Sequence, residues 1–215
     1  MKLYAFWRST ASWRVRIALA YKGVPFDVLP VFLTGGEQYD KGYGALNPMA
    51  QVPLLVMDDG RAISQSLAIL EYLEETVPEP TLLPRDPWLR ARSRQLAEIV
   101  NSGIQPLQNL TPLARLRSLG VDDDAWAGHF IERGLNALAI VAEATAGDFL
   151  VGDAVTFADV CLVPQLTNAR RHGVDPARWP LLARVEEACN ELPAFQSARP
   201  EKQPDFPGGS DASAR

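Results

Sequence analysis

Cysteine and histidine are both scarce in this chain of 215 residues, which contains two of each. Cys161 and Cys189 lie far apart and form no C-x-x-C pair, so neither a dithiol redox motif nor a thiolate metal site is expected. His129 and His172 belong to no H-E-x-x-H pattern. We therefore expect no metal, and we interpret the cysteines as small core residues and the histidines as surface or structural residues.

The chain also lacks an excess of positive charge and any long apolar segment. Its formal net charge of −5 argues against a general nucleic-acid-binding protein, because the phosphate backbone favours a basic surface. No apolar run approaches the roughly 20 residues of a membrane-spanning helix, and the first residues lack the apolar stretch of a secretory signal. The expectation is a cytoplasmic protein with no nucleic-acid and no membrane partner.

Short strand-like and helical segments alternate in the first third of the chain. Strands are predicted at Leu3–Trp7, Phe26–Phe32, Val52–Met57 and Ala62–Ile63. Helices are predicted up to about Tyr21 and from Ser66 to about Glu75. This order, β-α-β followed by a β-hairpin and a helix, indicates an α/β domain over residues 1–80.

Prolines at Pro78–Pro80 and Pro84–Pro87 predict a linker after this domain. Beyond Trp88 the apolar spacing is helical almost throughout, which predicts an all-helical domain over residues 87–205. Within it, the run from Thr156 to Asp159 predicts a capping box that opens a buried helix. Residues 206–215 are predicted to form a disordered tail.

The segment Arg8–Leu19, R-S-T-A-S-W-R-V-R-I-A-L, is the first of three candidate motifs. Three hydroxyl residues, Ser9, Thr10 and Ser12, precede or open an apolar helix directly after the first predicted strand. Unpaired backbone N–H groups and the helix dipole at such a start favour an anion or a thiolate. An ordinary cluster of N-cap residues is the alternative interpretation.

Basic residues without acidic neighbours surround this helix start. Between Trp7 and Pro25 the chain carries Arg8, Arg14, Arg16 and Lys22 and no acidic residue. Such a local excess suits an anionic small ligand. For Arg14 and Lys22 we favour a solvated helix face as the interpretation.

Proline follows Val52 in the second motif, N-P-M-A-Q-V-P over residues 47–53. Because proline donates no ladder hydrogen bond, Pro53 fits best at the start of a strand. A cis Val52–Pro53 bond would turn the Val52 backbone outward, so that its N–H and C=O could pair with an extended peptide ligand. A trans proline at a simple turn is the alternative and the commoner form of the bond.

Gln65-Ser66, at the start of a predicted helix, is the third motif. Ser66 can cap that helix. Alternatively, its hydroxyl and the free N–H groups of the helix start can hold a carboxylate.

In this order, and ahead of a helical domain, the three motifs resemble the glutathione transferase superfamily, most closely its zeta class of maleylacetoacetate and maleylpyruvate isomerases. The first segment is similar to the zeta signature S-S-C-S-W-R-V-R-I-A-L. The similarity continues through N-P-M-A-Q-V-P, Q-S-L-A-I-L-E-Y-L-E-E, I-Q-P-L-Q-N-L, V-G-D-x-V-T-x-A-D and C-L-V-P-Q-L-T-N-A-R-R. It spans residues 1–205 in collinear order, which is far more specific than a single short motif.

The resemblance implies an α/β thioredoxin-like N-terminal domain that binds glutathione and an all-α C-terminal domain that covers the second substrate, usually in a homodimer. Ser9 would be the hydroxyl that activates the thiolate, with Thr10 beside it. Val52 would pair through its backbone with the cysteinyl unit, and Gln65 and Ser66 would hold the γ-glutamyl carboxylate. The implied glutathione-binding residues of this domain are Ser9, Thr10, Ala11, Ser12, Gln38, Val52, Gln65 and Ser66.

Four residues of the helical domain match positions that complete the glutathione site in zeta proteins. They are Gln105, Asn109, Leu110 and Thr111. Gln105 and Asn109 are expected one helical turn apart, so both could face the same cleft. The alternative is that they only cap or solvate that helix.

The implied substrate is a small anionic keto acid, so guanidinium anchors are expected. Arg171 matches the family's substrate arginine. Arg8 is a second candidate, although it could equally serve as a surface or dimer-contact charge. Arg170 points about 100° away from Arg171 on a helix and is expected to face solvent.

The implied activity is cis–trans isomerisation of maleylacetoacetate or maleylpyruvate to the fumaryl isomer, by thiolate addition, rotation and elimination, with glutathione as a regenerated cofactor. One departure is Ala11, which stands where the zeta signature has cysteine and removes a thiol near the reacting sulfur. A transferase that conjugates haloacids or other small electrophiles, and a non-catalytic glutathione-binding module, remain alternatives. A serine hydrolase is disfavoured, because the chain has no G-x-S-x-G elbow.

Overall fold

Residues 1–207 are described by the computed structural model. They form two compact units, one made of Met1–Pro80 together with the chain from Leu192 onward, and the other of Thr81–Glu191. The first unit contains one four-stranded sheet in the order β2-β1-β3-β4. Its strands are β1 (Lys2–Ala5), β2 (Asp27–Pro30), β3 (Leu54–Val56) and β4 (Ala62–Ser64).

Strand β1 lies in the middle of this mixed sheet. It pairs in parallel with β2 and antiparallel with β3, and β3 pairs antiparallel with β4. Within Met1–Pro80 the α-helices are α1 (Thr10–Tyr21), α2 (Lys41–Leu46) and α3 (Ser66–Thr76). Because α1 crosses over between the two parallel strands, the unit has the β-α-β, hairpin and helix order that the sequence predicts.

Helix α1 is buried on nearly all sides, which overturns the interpretation of Arg14 and Lys22 as residues of a solvated face. Arg14 is 0% exposed and Lys22 is 6% exposed. Lys22 Nζ lies 2.8 Å from Glu74 Oε2 and donates to the carbonyl oxygens of Val77 and Pro80, at 2.7 and 3.0 Å. These three acceptors replace the water that a buried ammonium loses. Charge pattern alone could not reveal this, because it does not say how many sides of a helix are covered.

The last described part of the chain packs against the first unit, whereas the sequence predicts that residues up to 205 belong to the helical domain. Helix α9 (Pro193–Ser197) contacts α1. Farther on, the Phe206 ring meets the Trp7 ring edge-on at 5.1 Å, so the predicted tail does not begin at residue 206. Residues 208–215 of that predicted tail lie outside the described residues. Local apolar spacing predicts a helix, but it does not say which core receives it.

The second unit is helical, as expected. Its longer helices are α4 (Pro87–Asn101), α5 (Leu110–Ser118), α6 (Asp123–Ala142), α7 (Phe157–Arg171) and α8 (Pro180–Asn190). Helix α7 is the central element, because it packs against both α4 and α8 and is buried along most of its length. Cys161 and Cys189 are both fully buried and unbridged, which confirms them as core residues. No helix within residues 1–207 has the length and apolar character needed to cross a membrane.

The predicted capping box is present at the start of α7. The Thr156 side chain accepts from the helix backbone, while Asp159 Oδ2 accepts from Thr156 N at 2.8 Å and from Thr156 Oγ1 at 3.0 Å. Asp159 Oδ1 also accepts from Leu150 N at 2.9 Å. Burial raises the pKa of Asp159 to about 6, while these three donors act to lower it. This carboxyl group therefore joins the start of α7 to the loop before it.

We expect Asp159→Ala to lower the free energy of unfolding by on the order of 3 kcal/mol, because it leaves the buried N–H groups of Leu150 and Thr156 without acceptors. Urea unfolding followed by circular dichroism measures this change. Glu143→Ala is the matched control, since Glu143 is exposed, and it should change stability by less than about 0.5 kcal/mol. Equal stability of the two variants would contradict the role given to Asp159.

Candidate functional site

The register of the strands brings four chain segments of the first unit to one end of the sheet. This line of strand ends is called the sheet edge below. Ala5 at the end of β1 lies beside Pro30 at the end of β2, and Tyr4 lies beside Leu54 at the start of β3. Leu54 in turn lies beside Ser64, at the end of β4. The chain leaves this edge toward Ser9, Gln38 and Gln65 and enters it from Val52. Four of the sequence-predicted site residues therefore come from segments that meet at the same edge of the sheet.

The start of α1 is capped by a side chain and also has backbone N–H groups suited to an anion, the two alternatives that the sequence left open. Ser9 is the N-cap residue, and its Oγ accepts from the backbone N–H of Ser12 at 3.2 Å. Since that bond uses an oxygen lone pair, the hydroxyl hydrogen remains available to donate. The backbone N–H groups of Thr10 and Ala11 precede the first intrahelical hydrogen bond, which Trp13 donates to Ser9. A capped helix start can thus still bind an anion.

Ser12 differs from its neighbours because its side chain is enclosed. Ser9 and Thr10 are half-buried, whereas Ser12 is 0% exposed. Its hydroxyl has no hydrogen-bond partner within residues 1–207. The enclosed Ser12 hydroxyl therefore does not reach a ligand at this helix start, and the Ser12 N–H already donates to Ser9 Oγ.

Gln38 and Val52 offer unpaired polar groups. Gln38 lies in a short 3-10 helix, Glu37–Tyr39, and its Oε1 is buried without a hydrogen-bond partner in the described part of the chain. The Val52–Pro53 bond is cis, the first of the two alternatives considered for it. Neither the N–H nor the C=O of Val52 is hydrogen-bonded within the described residues. An unpaired strand extension and a buried amide oxygen are groups that an extended peptide could satisfy.

The segment before Val52 is held by a pair of donors that sequence reasoning missed. Tyr43 Oη donates to the Gln51 carbonyl oxygen at 2.5 Å, and Asn47 Nδ2 donates to the same oxygen at 2.7 Å. Burial is the main cause that raises the pKa of Tyr43 to about 12, so the phenol stays protonated and remains a donor. The two residues fix the carbonyl that directly precedes Val52.

The start of α3 differs in detail from the expectation. Gln65 and not Ser66 is the N-cap residue, and its side chain makes no capping hydrogen bond. Gln65 has a φ of +73°, in a region that residues other than glycine seldom adopt and that is often found at functional sites. Ser66 is the first helical residue, and its Oγ accepts from Arg14 Nη1 at 3.2 Å. The start of α3 therefore has a buried guanidinium group behind it.

Positive charge at this edge has several sources. Two helix N-termini carry partial positive charge, and Arg14 adds a full charge next to Ser66. The Arg8 guanidinium carbon lies 6.0 Å from the ring centroids of Phe6 and Trp7, within range of a cation–π contact. The site is therefore suited to carboxylates and to a thiolate. From the sequence, Arg14 is expected on a solvated face, because a buried arginine and an exposed one look alike there.

Among the second unit's candidates, the expectation that Gln105 and Asn109 share one helix is wrong. Gln105 opens a 3-10 helix that ends at Gln108, and Asn109 has an extended backbone with ψ of 158°. Asn109 is instead the N-cap of α5, where its Oδ1 accepts from Leu110 N at 2.9 Å. This matches the capping alternative. Leu110 and the neighbouring Thr111 are exposed in the first turn of α5.

Arg171 is the last residue of α7 and is exposed. The adjacent Arg170 does not simply face solvent as expected, because its two terminal nitrogens donate to the two Glu186 oxygens at 2.6 and 2.5 Å. Such a bidentate pair fixes the end of α7 to α8.

A buried amide pair, also missed from the sequence, joins α7 to the 3-10 helix that begins at Gln105. Gln108 Nε2 donates to Gln165 Oε1 at 2.7 Å, and Gln165 Nε2 donates back to Gln108 Oε1 at 3.1 Å. Each amide thus satisfies the other inside the core. The segment that carries Gln105 is thereby fixed to the helix that ends at Arg171.

Family profiles match both units of the chain. Residues 8–76 match the profile described as "Glutathione S-transferase, N-terminal domain", and residues 132–193 match "Glutathione S-transferase, C-terminal domain". Maleylacetoacetate isomerase of Rattus norvegicus is 49% identical over 208 residues, which cover 95% of this chain and 94% of that protein. The protein of the same name in Pseudomonas aeruginosa is 47% identical over 214 residues, with 96% and 99% covered.

Solved structures of the same kind of isomerase are similar to this chain in sequence and in fold. Maleylacetoacetate isomerase from Anaeromyxobacter dehalogenans, crystallised with glutathione in its active site, is 52% identical with a TM-score of 0.89, covering 96% of this chain and 97% of that one. The holo structure of a bacterial zeta-class maleylpyruvate isomerase is 44% identical with a TM-score of 0.93, covering 96% and 100%. At such identities over nearly the full length of both partners, the chain belongs to the glutathione S-transferase family, in its zeta class.

Proposed function

We propose that this protein is a glutathione-dependent isomerase that converts maleylacetoacetate, or the related maleylpyruvate, to the fumaryl isomer. The observation that carries the proposal is the sheet edge, where the Ser9 hydroxyl, the unpaired Val52 backbone and the starts of α1 and α3 come from adjacent strand ends. Relatives named for these two reactions support the substrate class. The zeta-like segment I-Q-P-L-Q-N-L favours maleylacetoacetate.

The unpaired groups at the sheet edge fit glutathione. The tripeptide has an extended backbone, two carboxylates and one thiol. Val52 would pair with the cysteinyl backbone, while Gln65 and Ser66 would hold the γ-glutamyl carboxylate at the start of α3. The buried Gln38 Oε1 lacks a partner within residues 1–207 and would accept from a tripeptide N–H. By resemblance to zeta proteins, Gln105, Leu110 and Thr111 of the second unit are further candidates for binding glutathione. Asn109 caps α5 through Oδ1, so only its side-chain nitrogen would contribute.

When bound, glutathione supplies the thiolate that adds to the cis double bond, permits rotation and is eliminated to leave the trans isomer. Ser9 and the start of α1 keep this sulfur ionised. Lowering a thiol pKa from about 8.5 by two units requires roughly 2.7 kcal/mol of preferential thiolate stabilisation. A hydroxyl hydrogen bond to a charged acceptor contributes about 1.5–3 kcal/mol and a helix N-terminus about 0.3–1 kcal/mol. Ser9, with Thr10 at the helix start, is therefore sufficient, and Ala11 need not contribute a thiol.

Arg171 would bind a carboxylate of the keto acid. Its guanidinium is exposed at the end of α7, and a planar fork matches a carboxylate in two parallel hydrogen bonds. Arg171 matches the family's substrate arginine, whereas Arg170 pairs with Glu186. Arg8, beside Ser9 in the chain, is a second candidate for this role.

We further propose that the protein works as a homodimer in the cytoplasm. Glutathione is abundant there, and the two unbridged cysteines are compatible with a reducing compartment. Light scattering on the purified protein tests the dimer, and a mass equal to one chain would refute it.

The decisive assay offers maleylacetoacetate and maleylpyruvate separately to the purified enzyme with and without glutathione. We expect the fumaryl product only when glutathione is present, with no net consumption of glutathione. Stoichiometric loss of the thiol with haloacids, and no isomer formed from either keto acid, would identify a conjugating transferase instead. Failure to bind glutathione at millimolar concentration would indicate a non-catalytic module.

Ser9→Ala should reduce kcat/KM by about 10- to 100-fold while glutathione binding stays detectable, because one hydrogen bond to the thiolate is lost. Steady-state kinetics and calorimetric binding measure the two effects. Since Ser9 is also an N-cap, Ser9→Asp is the control that keeps the cap but cannot donate to a thiolate. It should fold normally and be inactive, whereas Ser9→Thr should retain activity. Undiminished turnover of Ser9→Ala would refute the assignment.

For Arg171→Ala we expect KM for the keto acid to rise by about tenfold or more, with the glutathione Kd nearly unchanged, because a bidentate charged contact is lost. Arg133→Ala is the matched control, since Arg133 is an exposed arginine of α6. An unchanged KM in Arg171→Ala would remove this residue from the substrate site.

A further inference from the structure

Trp7, two residues before Ser9, is held at both of its backbone polar groups. Its N–H donates to Asp205 Oδ2 at 2.9 Å, and its carbonyl oxygen accepts from Arg16 Nη2 at 3.1 Å. Asp205 lies 198 positions along the chain from this contact. The loop that leads from β1 into Ser9 is therefore fixed by the far end of the chain as well as by its own helix.

Arg16 connects the loop before Ser9 with the C-terminal segment. Its side chain is buried at 1% exposure, and its Nε donates to the Ala198 carbonyl at 3.1 Å. Its Nη1 lies 3.5 Å from the Phe6 carbonyl oxygen, which also accepts the N–H of Ser9 at 3.0 Å. One guanidinium group thus contacts the loop before Ser9 and the C-terminal segment together.

The C-terminal strap, defined here as residues 198–206, is itself ordered. Gln203 Nε2 donates to the Arg199 carbonyl at 2.9 Å, and the Phe206 N–H donates to the Gln203 carbonyl at 3.1 Å. The Phe206 ring then packs edge-on against the Trp7 ring. The strap therefore presents the Asp205 carboxylate in a fixed position beside Trp7.

The opposite charges of Arg16 and Asp205 support the contacts of both residues with the loop before Ser9. Burial lowers the pKa of Arg16 to about 9, and the nearby Asp205 carboxylate acts in the opposite direction. Arg16 is therefore a cation at neutral pH. Asp205 Oδ2 accepts from Trp7, whereas its Oδ1 is buried without a hydrogen-bond partner in the described residues.

We propose that Asp205 and Arg16 are positioning residues for Ser9, acting through the loop of residues 6–8 to fix where the Ser9 hydroxyl donates. This inference rests on the proposed function, because Ser9 is the group whose position matters. Asp205 acts through Trp7 and touches neither cofactor nor substrate. Loosening the strap should therefore weaken thiol activation at the start of α1 and leave the groups near Val52 and Ser66 in place.

The experiment compares Asp205→Ala with the wild-type chain in two measurements. Ultraviolet thiolate absorbance, titrated against pH in the glutathione-loaded protein, reports the pKa of the bound thiol. Hydrogen–deuterium exchange of the Trp7 amide in the unliganded protein reports the strap contact directly. We expect a rise of about one pKa unit and about tenfold faster exchange, with the glutathione Kd changed less than about twofold.

Two further variants serve as controls. Asp205→Asn keeps an oxygen that can accept from Trp7, so it should restore most of the thiol pKa. Glu201→Ala removes an exposed carboxylate of the same strap and should leave both measurements unchanged. If Asp205→Ala does not fold, Phe206→Leu is used instead, because it weakens the ring contact with Trp7 and leaves the Asp205 carboxylate in place. It should also raise the thiol pKa.

Outcomes separate the two proposals. A wild-type chain that develops no thiolate absorbance with glutathione refutes the proposed function and this inference with it. A wild-type thiolate whose pKa is unmoved by Asp205→Ala, or by Phe206→Leu where that variant is needed, leaves the proposed function standing. That result would assign the strap to stability alone and overturn the inference.

Discussion

Pairing of β1 with strands of opposite direction on its two sides is the constraint on which the first unit depends. The parallel β2 ends at the same edge as β1, while the antiparallel β3 begins there and β4 ends there. A one-residue slip in any pairing would turn the side chains of that strand to the other face of the sheet. It would also move Ser9, Val52 or Gln65 along the strand direction, out of line with the other strand ends at this edge. The same register that keeps Leu3 and Leu55 in the core thus sets the spacing of the candidate site.

Of three buried cations on and just after α1, Arg14 and Arg16 lie near this sheet edge, whereas Lys22 follows the other end of the helix. Arg14 donates to Ser66, Arg16 contacts the loop before Ser9, and Lys22 pairs with Glu74. Buried cations are costly to desolvate, and removing one partner of a buried ion pair typically destabilises a protein by about 3–5 kcal/mol. Arg14 contacts Ser66, which would bind a ligand carboxylate, and Arg16 holds the loop that leads to Ser9. The two buried guanidinium groups therefore lie where they add positive charge to the proposed site or fix its geometry.

Local patterns in the sequence were enough to predict the strand and helix order, the capping box at Thr156 and the core position of Cys161. Each depends on residues close in sequence, such as a hydroxyl three positions before an acid. The pattern failed where distant residues decide the outcome. Arg14 is buried because α3 and α9 both cover α1, and the residues of α1 alone do not indicate these contacts.

For the site residues too, the features set by nearby residues could be predicted and those set by distant residues could not. That Ser9, Val52 and Gln65 adjoin strand ends follows from the predicted order of strands and helices, although the order of the strands within the sheet was not predicted. The partners that hold these residues do not follow from the predicted order. Tyr43 and Asn47 reach the Gln51 carbonyl across a loop with no repeating pattern, and Asp205 reaches Trp7 from the opposite end of the chain.

Ser9 illustrates why a helix cap and a thiol-activating hydroxyl need not compete. As a cap, its oxygen accepts from Ser12 N–H, and this bond fixes the rotamer of the side chain. Accepting a hydrogen bond also polarises the hydroxyl, which makes it a stronger donor through its own hydrogen. The cap therefore restricts the hydroxyl oxygen to one position and strengthens the hydroxyl as a donor. In the proposed mechanism, with the approach to Ser9 held by Arg16 and Asp205, the side chain would need little reorganisation when negative charge develops on sulfur, and this preorganisation would make a single neutral hydroxyl effective.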